Sequence, residues 1–531
     1  MAGVKVIPLL LFAIGAGCFE SLQTNAVLQL EPDVPFPYPP ELNYSTATPA
    51  DIVRTCQTLL ELHEVSGETV RHWPKKPDNI RPSPENERSY RYHFYRPSLI
   101  KYGASQWLWD DGAHMITWSH LNLTNSIIDL RTMLQMQLQN GMIPEVINWL
   151  YEPQRLVQQN ISTTDGITDF LEYSSPFYTD LTQMPVLPFS LRAMHEQKPE
   201  DLDLLQEFVP SLVRYFDWWA DTRDVDGNGL VSIIHGWESG LDASPIYDIP
   251  YIGESLVNRI RKEHRQIRLL ELYPHFISIL AGYKWWYRWD QQRIIRMEKG
   301  RFGAPYFLVQ DVAVNSVYAA GWGVLADLAS KFNGTLAEHC RKRQATAQQA
   351  IVQHMWDPEL GRFVSFYKDA QKRTRALTTE VVQSLFPLLL GNALPPEMAD
   401  KIISEQLLNP DKFWTPYPVP TVAKSEPAYA PVFRERLMWR GPSWGFTNWF
   451  VMEGLMQCGR EDVARQLLDR WVAAYQKSGI YEHWNPETAE PYGSFGLGMS
   501  TLITDWLFRL GLVHGPDDSF REGLTLLTNA T

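Results

Sequence analysis

The sequence has little cysteine, no long basic run and no second long apolar run. Its 531 residues include only four cysteines, and none of them forms a Cys-x-x-Cys pair: Cys18, Cys56, Cys340 and Cys458. This spacing argues against a disulfide-rich scaffold, allows at most one bridge and gives no support for a zinc site. The net charge is −13 and the lysines and arginines are dispersed. A polyanionic partner such as nucleic acid is therefore not expected.

Signatures of common cofactors are also absent. The chain has no P-loop, no dinucleotide-binding glycine motif and no His-Glu-x-x-His zinc motif, so we expect catalysis without an organic cofactor. Asp224, Asp226 and Asn228 match the first half of a calcium loop, but His235 stands where a bidentate glutamate is needed. A tight turn is the simpler interpretation, and calcium binding remains the alternative.

The N-terminus has the three regions of a secretory signal peptide. Lys5 supplies a positive charge, an apolar stretch covers residues 6–17, and small residues precede Cys18. This stretch is shorter than the roughly 20 residues of a membrane span. We therefore interpret residues 1–18 as a signal peptide and expect a secreted protein with no membrane contact after its removal. An uncleaved anchor and lipid attachment at Cys18 are the alternatives.

Five glycosylation sequons agree with secretion, although such tripeptides also arise by chance. Their acceptor residues are Asn43, Asn122, Asn160, Asn333 and Asn529.

Residues 19–47 and 48–531 differ in composition. Five prolines between positions 32 and 40 cannot sustain a helix, so residues 19–47 are interpreted as an extended arm. From Thr48 onward, apolar residues recur at helical spacing, and Pro210 is expected to begin one helix. Long loops rich in aromatic residues separate the helices and are expected to be ordered. We predict one helical domain over 48–531 whose loops cover one end of a barrel.

Two segments carry acidic residues among aromatic ones. In residues 224–248, Glu238 and Asp242 lie near Trp237, where desolvation can keep a carboxyl protonated as a general acid requires. In residues 479–498, Glu482 precedes a turn that can project its carboxylate from a loop into a cleft, where it can activate water. The alternatives are helix capping for the first segment and solvation of a surface loop for the second.

Five sequence strings occur in order along the chain. They are QWLWDDGAH (106–114), NGMIPEVINW (140–149), HGWESGLDASP (235–245), WRGPSWGFTNW (439–449) and YEHWNPETAEPYG (481–493). Together they resemble the six-hairpin glycosidases of glycoside hydrolase family 63, especially short members such as mannosylglycerate hydrolases. The resemblance implies an all-α fold, the (α/α)6 barrel, and hydrolysis of an α-linked sugar.

The resemblance also implies roles for particular residues. Asp242 would be the general acid and Glu482 the general base of an inverting reaction. The residues implied to line or close the sugar site are Trp109, Asp110, Gln139, Trp237, Trp439, Arg440 and Trp444. Indole faces suit the C–H surface of a sugar, and Arg or Asp suits its hydroxyls.

We therefore expect an exo-acting enzyme that removes a terminal α-mannose or α-glucose from a small carbohydrate partner. A sugar isomerase or epimerase on the same barrel is the main alternative, with His114, His235 and His483 as its proton-transfer groups. A trehalase-like α-glucosidase and a binding protein without turnover are further alternatives. Ser443 matches a serine-hydrolase Gly-x-Ser-x-Gly pattern, but no buried strand is expected before it.

Overall fold

Helices make up most of the structure, a computed structural model that describes residues 44–72, 87–99, 102–150, 178–179, 181–252, 287–290, 293–297, 307–369, 371–432 and 438–514. The α-helices are α1 Pro49–Leu62, α2 Leu108–Leu121, α3 Leu123–Leu134, α4 Leu187–Gln197, α5 Leu202–Arg223, α6 Asp248–Ile252, α7 Val312–Ser330, α8 Gly334–His354, α9 Pro396–Asp400, α10 Gly445–Gln457, α11 Glu461–Ser478 and α12 Ile503–Arg509. The 3₁₀ segments are Tyr44–Thr46, Gly236–Ser239, Pro245–Tyr247, Val382–Ala393 and Gly498–Leu502, and Lys401–Leu407 is a π-helix.

The helices of the described residues form six hairpins, each with an inner and an outer member. Five hairpins are consecutive in the chain: α2 with α3, α4 with α5, α7 with α8, Val382–Ala393 with α9 and the π-helix, and α10 with α11. The sixth joins the two ends of the described region, because α1 packs against Gly498–Leu502 and α12.

The inner members contact one another in a closed ring. The order is α2, α4, α7, Val382–Ala393, α10, Gly498–Leu502, and then back to α2. Burial separates the two layers: inner α7 buries fourteen of its nineteen residues, and outer α8 buries five of twenty-one. Helix α7 is also long and apolar enough to cross a membrane, but it lies within the inner ring. These contacts confirm the predicted (α/α)6 barrel.

Short antiparallel sheets decorate the barrel. The strand pairs are β1 Glu64–His72 with β2 Glu87–Tyr95, β3 Gln106–Trp107 with β4 Val146–Ile147, β5 Tyr287–Asp290 with β6 Arg293–Met297, and β8 Trp356–Asp357 with β9 Arg362–Phe363. The three-stranded sheets are β11 Thr374–Leu377, β10 Ser365–Lys368 and β7 Val309–Gln310, and β12 Ser443–Trp444, β13 Tyr481–Trp484 and β14 Pro491–Phe495. Strands β3 and β12 run directly into α2 and α10, so these sheets fix the loops at the starts of two inner helices.

Pro210 does not begin a helix, contrary to the sequence-based expectation. Helix α5 begins at Leu202, and Asp201 caps it by accepting a hydrogen bond from the Leu204 amide at 3.2 Å. Pro210 lies inside the helix, eight residues after its start. The cap therefore sets the boundary, and the apolar stripe after Pro210 is buried as predicted.

Several predictions about the surface can be compared with the described residues. Cys56, Cys340 and Cys458 are free thiols. Asn122 and Asn333 are exposed N-cap residues of α3 and α8. Residues 1–18, most of the arm over 19–47, and the sequons at Asn43, Asn160 and Asn529 lie outside the described residues.

Replacing Gly454 by Ala tests the close packing of two inner members. A Cβ at Gly454 of α10 would lie 2.5 Å from Leu388 Cβ and 3.1 Å from the Leu388 carbonyl carbon. Because backbone must move to admit it, we expect Gly454→Ala to lower the free energy of unfolding by about 1–3 kcal/mol. The matched control is Gly334→Ala at the start of α8, where nothing lies within 4 Å. Equal urea midpoints for the two variants would contradict the packing described.

Candidate active site

A cavity of about 330 Å³ lies at the end of the barrel where inner helices α2 and α10 begin. Its walls combine indole rings, two methionines and three carboxyl groups. The lining residues are Tyr102, Trp107, Trp109, Asp110, Glu145, Val146, Thr179, Gln183, Trp237, Gly240, Asp242, Met438, Trp439, Trp444, Leu497 and Met499.

Indole rings form much of the cavity wall. Trp439 stacks on Trp444 with ring centroids 3.9 Å apart, and Trp109 is tilted against Trp439 at 6.1 Å. Gly240, with φ +69°, lets Trp109 approach the backbone, because a Cβ there would overlap the Trp109 ring. The structure thus brings the predicted residues Trp109, Trp237, Trp439 and Trp444 together around one cavity, where indole faces can pack on sugar C–H surfaces.

Asp242 lines the cavity from the turn after Gly236–Ser239. An ion pair positions this turn: Arg223 donates to both oxygens of Glu238, at 2.9 and 2.6 Å, and both residues are fully buried. The Ile234 amide also donates to Glu238, at 2.9 Å. Glu238 therefore has a structural role, and Asp242 is the carboxyl that this segment presents to the cavity.

Glu482 lies on strand β13 rather than on a projecting loop, which corrects the sequence-based expectation. Antiparallel pairing with β12 and β14 holds it there, fully buried. Tyr102 donates from its hydroxyl to Oε1 at 2.5 Å, and the Ser494 amide donates to Oε2 at 2.7 Å. Glu482 is not itself among the residues that line the cavity, but the Tyr102 phenol that it binds is, so the carboxylate is one hydrogen bond away from the cavity wall.

The Tyr102 phenol lies near both predicted catalytic carboxyls. Burial raises its pKa first, and the nearby carboxyls of Glu482, Asp110 and Asp242 raise it further. The phenol therefore stays protonated and donates a hydrogen bond. Tyr102 thus hydrogen-bonds Glu482 and lines the same cavity as Asp242.

Asp110 is buried in the first turn of α2 and lines the cavity. Burial, followed by the charge of Glu482, raises the pKa of Asp110 to about 8. At neutral pH this side chain is therefore largely a neutral acid, which can both donate and accept hydrogen bonds with a sugar hydroxyl.

Two predicted sugar-binding residues do not line this cavity. Gln139 is exposed in the turn after α3. Arg440 is buried and forms a two-pronged ion pair with Asp248, with Nη1 to Oδ2 at 3.1 Å. Asp248 takes up both terminal guanidinium nitrogens of Arg440. The resemblance assigned both residues to the sugar site from the sequence alone, and the sequence does not reveal these local contacts.

Sequence reasoning missed several lining residues, among them Tyr102, Glu145 and Gln183. Gln183 accepts a hydrogen bond from the Trp109 amide at 3.1 Å and so fixes the start of α2. Glu145 falls within the string of residues 140–149, which was a usable signal. Tyr102 had none, because its place depends on a backbone φ of +63° that a non-glycine residue seldom adopts.

The histidines and the serine that rival functions require are not among the residues that line the cavity. His114, His235 and His483 are not among the lining residues, and burial lowers the pKa of His114 well below its usual value. Ser443 is buried and donates to the Tyr417 carbonyl at 3.0 Å, so its hydroxyl is not directed at the cavity as a nucleophile.

The calcium-like loop is held by its own contacts. Asp224 accepts hydrogen bonds from the amides of Asn228 and Gly229, each at 3.0 Å, while Asp226 pairs with the Lys368 ammonium at 2.8 Å. Among the residues that the structure describes, no group of three or more His, Cys, Asp or Glu side chains is arranged to hold a metal ion. The tight-turn interpretation fits these contacts, and a lysine already neutralises the Asp226 carboxylate.

A six-hairpin barrel whose cavity combines carboxyl groups with indole walls fits a glycoside hydrolase, and the family match shows that class. The family can be named as well, because the model for the mannosylglycerate hydrolase MGH1-like glycoside hydrolase domain matches residues 103–499. The chain belongs to this family.

Similar proteins agree with this membership. A mannosylglycerate hydrolase from Rubrobacter radiotolerans is 25% identical over 413 residues, covering 73% of this chain and 87% of the relative. A glucosylglycerate hydrolase from Mycolicibacterium hassiacum is 24% identical over 420 residues, covering 76% and 91%. The fold matches the crystal structure of a GH63 mannosylglycerate hydrolase from Thermus thermophilus in complex with glucose, with a TM-score of 0.59, 21% identity, and coverage of 86% of this chain and 99% of that one.

Replacing Gly493 by Ala tests how closely Glu482 is positioned. A Cβ at Gly493 would lie 2.7 Å from Glu482 Cβ and would also crowd its carboxylate. Because a displaced carboxylate loses alignment with substrate, we expect Gly493→Ala to lower kcat for glycoside hydrolysis by about 10²-fold.

The matched control is Gly459→Ala. Gly459 has a similar φ, +70° against +77°, but nothing lies within 4 Å of its would-be Cβ. This control carries the backbone strain without the clash and should keep near wild-type turnover. Equal losses of kcat in both variants would mean that the contact with Glu482 is immaterial.

Proposed function

We propose that this protein is an inverting, exo-acting α-glycosidase. It removes a terminal α-mannose or α-glucose from a small glycoside such as mannosylglycerate or glucosylglycerate, or from a short oligosaccharide. One observation carries the proposal: Asp242 lines an indole-walled cavity, and Glu482, about 240 positions later in the chain, is hydrogen-bonded to Tyr102, which lines the same cavity. The substrates named for the curated relatives support the choice of sugar and leaving group.

In the proposed reaction, Asp242 protonates the glycosidic oxygen while Glu482 deprotonates a water that attacks the anomeric carbon. The hydrogen bonds from Tyr102 and the Ser494 amide stabilise the charged form of Glu482, which a base requires. Asp242 lines the same cavity as Asp110 and Glu145, and burial together with acidic neighbours raises the pKa of both of those carboxyls. A carboxyl in such surroundings can stay protonated, which an acid requires.

The form of the cavity supports exo action on small substrates. Its volume of about 330 Å³ is at the lower end of the range for small-molecule sites, about 300–1,000 Å³. The stacked pair Trp439 and Trp444 bounds it, with Trp109 beside them. Such a small, aromatic pocket suits the end of a glycoside better than the middle of a polymer.

We predict that Asp242→Asn and Glu482→Gln each lower kcat by at least about 10²-fold, because each removes one proton-transfer group while keeping the side chain's shape. Initial rates should be measured on a panel of α-mannosides and α-glucosides that includes both glycerate glycosides and trehalose. NMR of the first released sugar should show the β-anomer, as inversion of an α-linkage requires.

The matched control is Glu487→Gln. Glu487 lies in the turn that follows β13, the strand that carries Glu482, but its carboxylate binds Tyr429 at 3.0 Å and Lys424 at 3.3 Å rather than the cavity residue Tyr102. This variant should retain wild-type-like turnover. Wild-type turnover in Asp242→Asn or Glu482→Gln would reject the assigned roles, and initial release of the α-anomer would reject inversion. An isomeric product without cleavage would favour the epimerase alternative.

We further propose that the protein is secreted and glycosylated. The signal-like residues 1–18 and the exposed sequons at Asn122 and Asn333 support this. Expression in a eukaryotic secretory host should release a chain that lacks the leader, and Asn122→Gln and Asn333→Gln should each remove the mass of one glycan. Deletion of residues 2–18 is the control and should keep the chain inside the cell. An intracellular full-length chain with Met1 intact, made from the complete sequence, would refute secretion.

A further inference from the structure

Glu145 is a third carboxyl in the cavity wall, beside Asp110 and Asp242, and the proposed chemistry leaves it without a role. Its backbone is firmly held: its amide donates to the Leu181 carbonyl at 2.8 Å, and its carbonyl accepts from the Leu108 amide at 2.9 Å. These bonds tie Glu145 to the first residue of α2. The Glu145 backbone is therefore fixed beside the start of α2, the helix that carries Asp110.

The hydrogen bonding of the Glu145 side chain is incomplete. The side chain lines the cavity, and the residue is only 2% exposed. Oε1 accepts one long hydrogen bond from Gln183 Nε2, at 3.4 Å, whereas Oε2 is buried and has no hydrogen-bonding partner among the described residues. Leaving a buried polar atom unsatisfied is unfavourable, so a retained one calls for an explanation.

Glu238 provides a direct comparison at similar depth. Both of its oxygens are satisfied by Arg223, and backbone amides of Ile234 and Thr182 add further bonds. A purely structural buried glutamate in this protein is thus fully bonded. Glu145 has no such set of partners, and its side chain borders the cavity in which substrate would bind.

The protonation state of Glu145 suits recognition of hydroxyl groups. Burial, followed by the charges of Glu238, Asp242 and Asp110, raises its pKa well above the usual value. The raised pKa favours the protonated carboxylic acid, which has one donor and further acceptor capacity. A sugar or polyol hydroxyl has the same two capacities, so the two groups can exchange hydrogen bonds.

We propose that Glu145 is a substrate-binding residue whose Oε2 hydrogen-bonds a hydroxyl group of the bound glycoside. This hydroxyl lies close to the glycosidic oxygen that Asp242 protonates. This assignment rests on the proposed function and adds a specificity determinant to that site. It implies that the enzyme requires one particular hydroxyl of its substrate and rejects the analogue that lacks it.

The test combines deletion of the side chain with deletion of substrate hydroxyls. Wild type and Glu145→Ala are assayed on the preferred α-glycoside and on its monodeoxy analogues, one for each hydroxyl. In wild type, kcat/KM for at least one analogue should be about 30-fold or more below that for the parent substrate. The reason is that the Glu145 carboxyl is then left unpaired. In Glu145→Ala, kcat/KM for the same analogue should be less than about threefold below that for the parent substrate. Glu145→Gln, which keeps a donor and an acceptor, should retain part of the selectivity.

The control is Glu338→Ala on α8, which removes a glutamate whose side chain is 78% exposed and should reproduce the wild-type pattern. If Glu145→Ala shows the wild-type penalty for every analogue, the proposal is overturned. A structural role is distinguished by stability: because Oε2 lacks a partner, Glu145→Gln and Glu145→Met should keep or raise the urea midpoint. A clear fall in both variants, with selectivity unchanged, would overturn the proposal as well.

A binding experiment separates this proposal from the proposed function. If no glycoside is hydrolysed, the function fails, and calorimetry with glucose, mannose, glycerol and the monodeoxy sugars still tests Glu145. Affinity for one of these ligands should then fall at least about tenfold in Glu145→Ala and not in Glu338→Ala. Equal affinities of wild type and Glu145→Ala for all of them would overturn the assignment on its own.

Discussion

Carboxyl groups buried side by side cannot all be ionised, and this constraint governs the cavity end of the barrel. Asp110, Glu145 and Asp242 share one wall, and Glu482 lies behind Tyr102. Hydrogen bonding gives these carboxyl groups different protonation states. Glu482 receives donors on both oxygens, whereas the pKa values of Asp110 and Glu145 are raised by burial and by their acidic neighbours. The placement of hydrogen-bond donors therefore favours the charged form of Glu482, whereas burial and acidic neighbours favour the neutral forms of Asp110 and Glu145.

The barrel supplies those donors through its loops and short sheets. Tyr102 comes from the segment before β3, and the Ser494 amide comes from β14. The Arg223–Glu238 pair performs a different task, because it fixes the turn that carries Asp242 without placing a net charge beside the cavity. The start of α2 also faces this region, and its partial positive charge helps to offset the acidic wall.

The features that local patterns encode were predictable from the sequence, and those that depend on distant contacts were not. Asp242 and the four tryptophans carry recognisable motifs, and they meet at one cavity. The helix boundary at Pro210 was wrong because the cap at Asp201 sets the start of α5. Arg440 was misplaced because its partner, Asp248, lies 192 positions away. Tyr102 could not be found at all, since its role depends on pairing with Glu482, 380 positions later in the chain.

The sixth hairpin joins α1, near the start of the described chain, to Gly498–Leu502 and α12 near its end. During synthesis, α1 therefore waits for its partner until almost the whole chain has left the ribosome. Until then the ring is open, and apolar faces of the first and last inner members remain uncovered. Ring closure of such long range is slow, which makes the nascent barrel dependent on protection from aggregation. Deleting either end would therefore leave the sixth hairpin without one of its members.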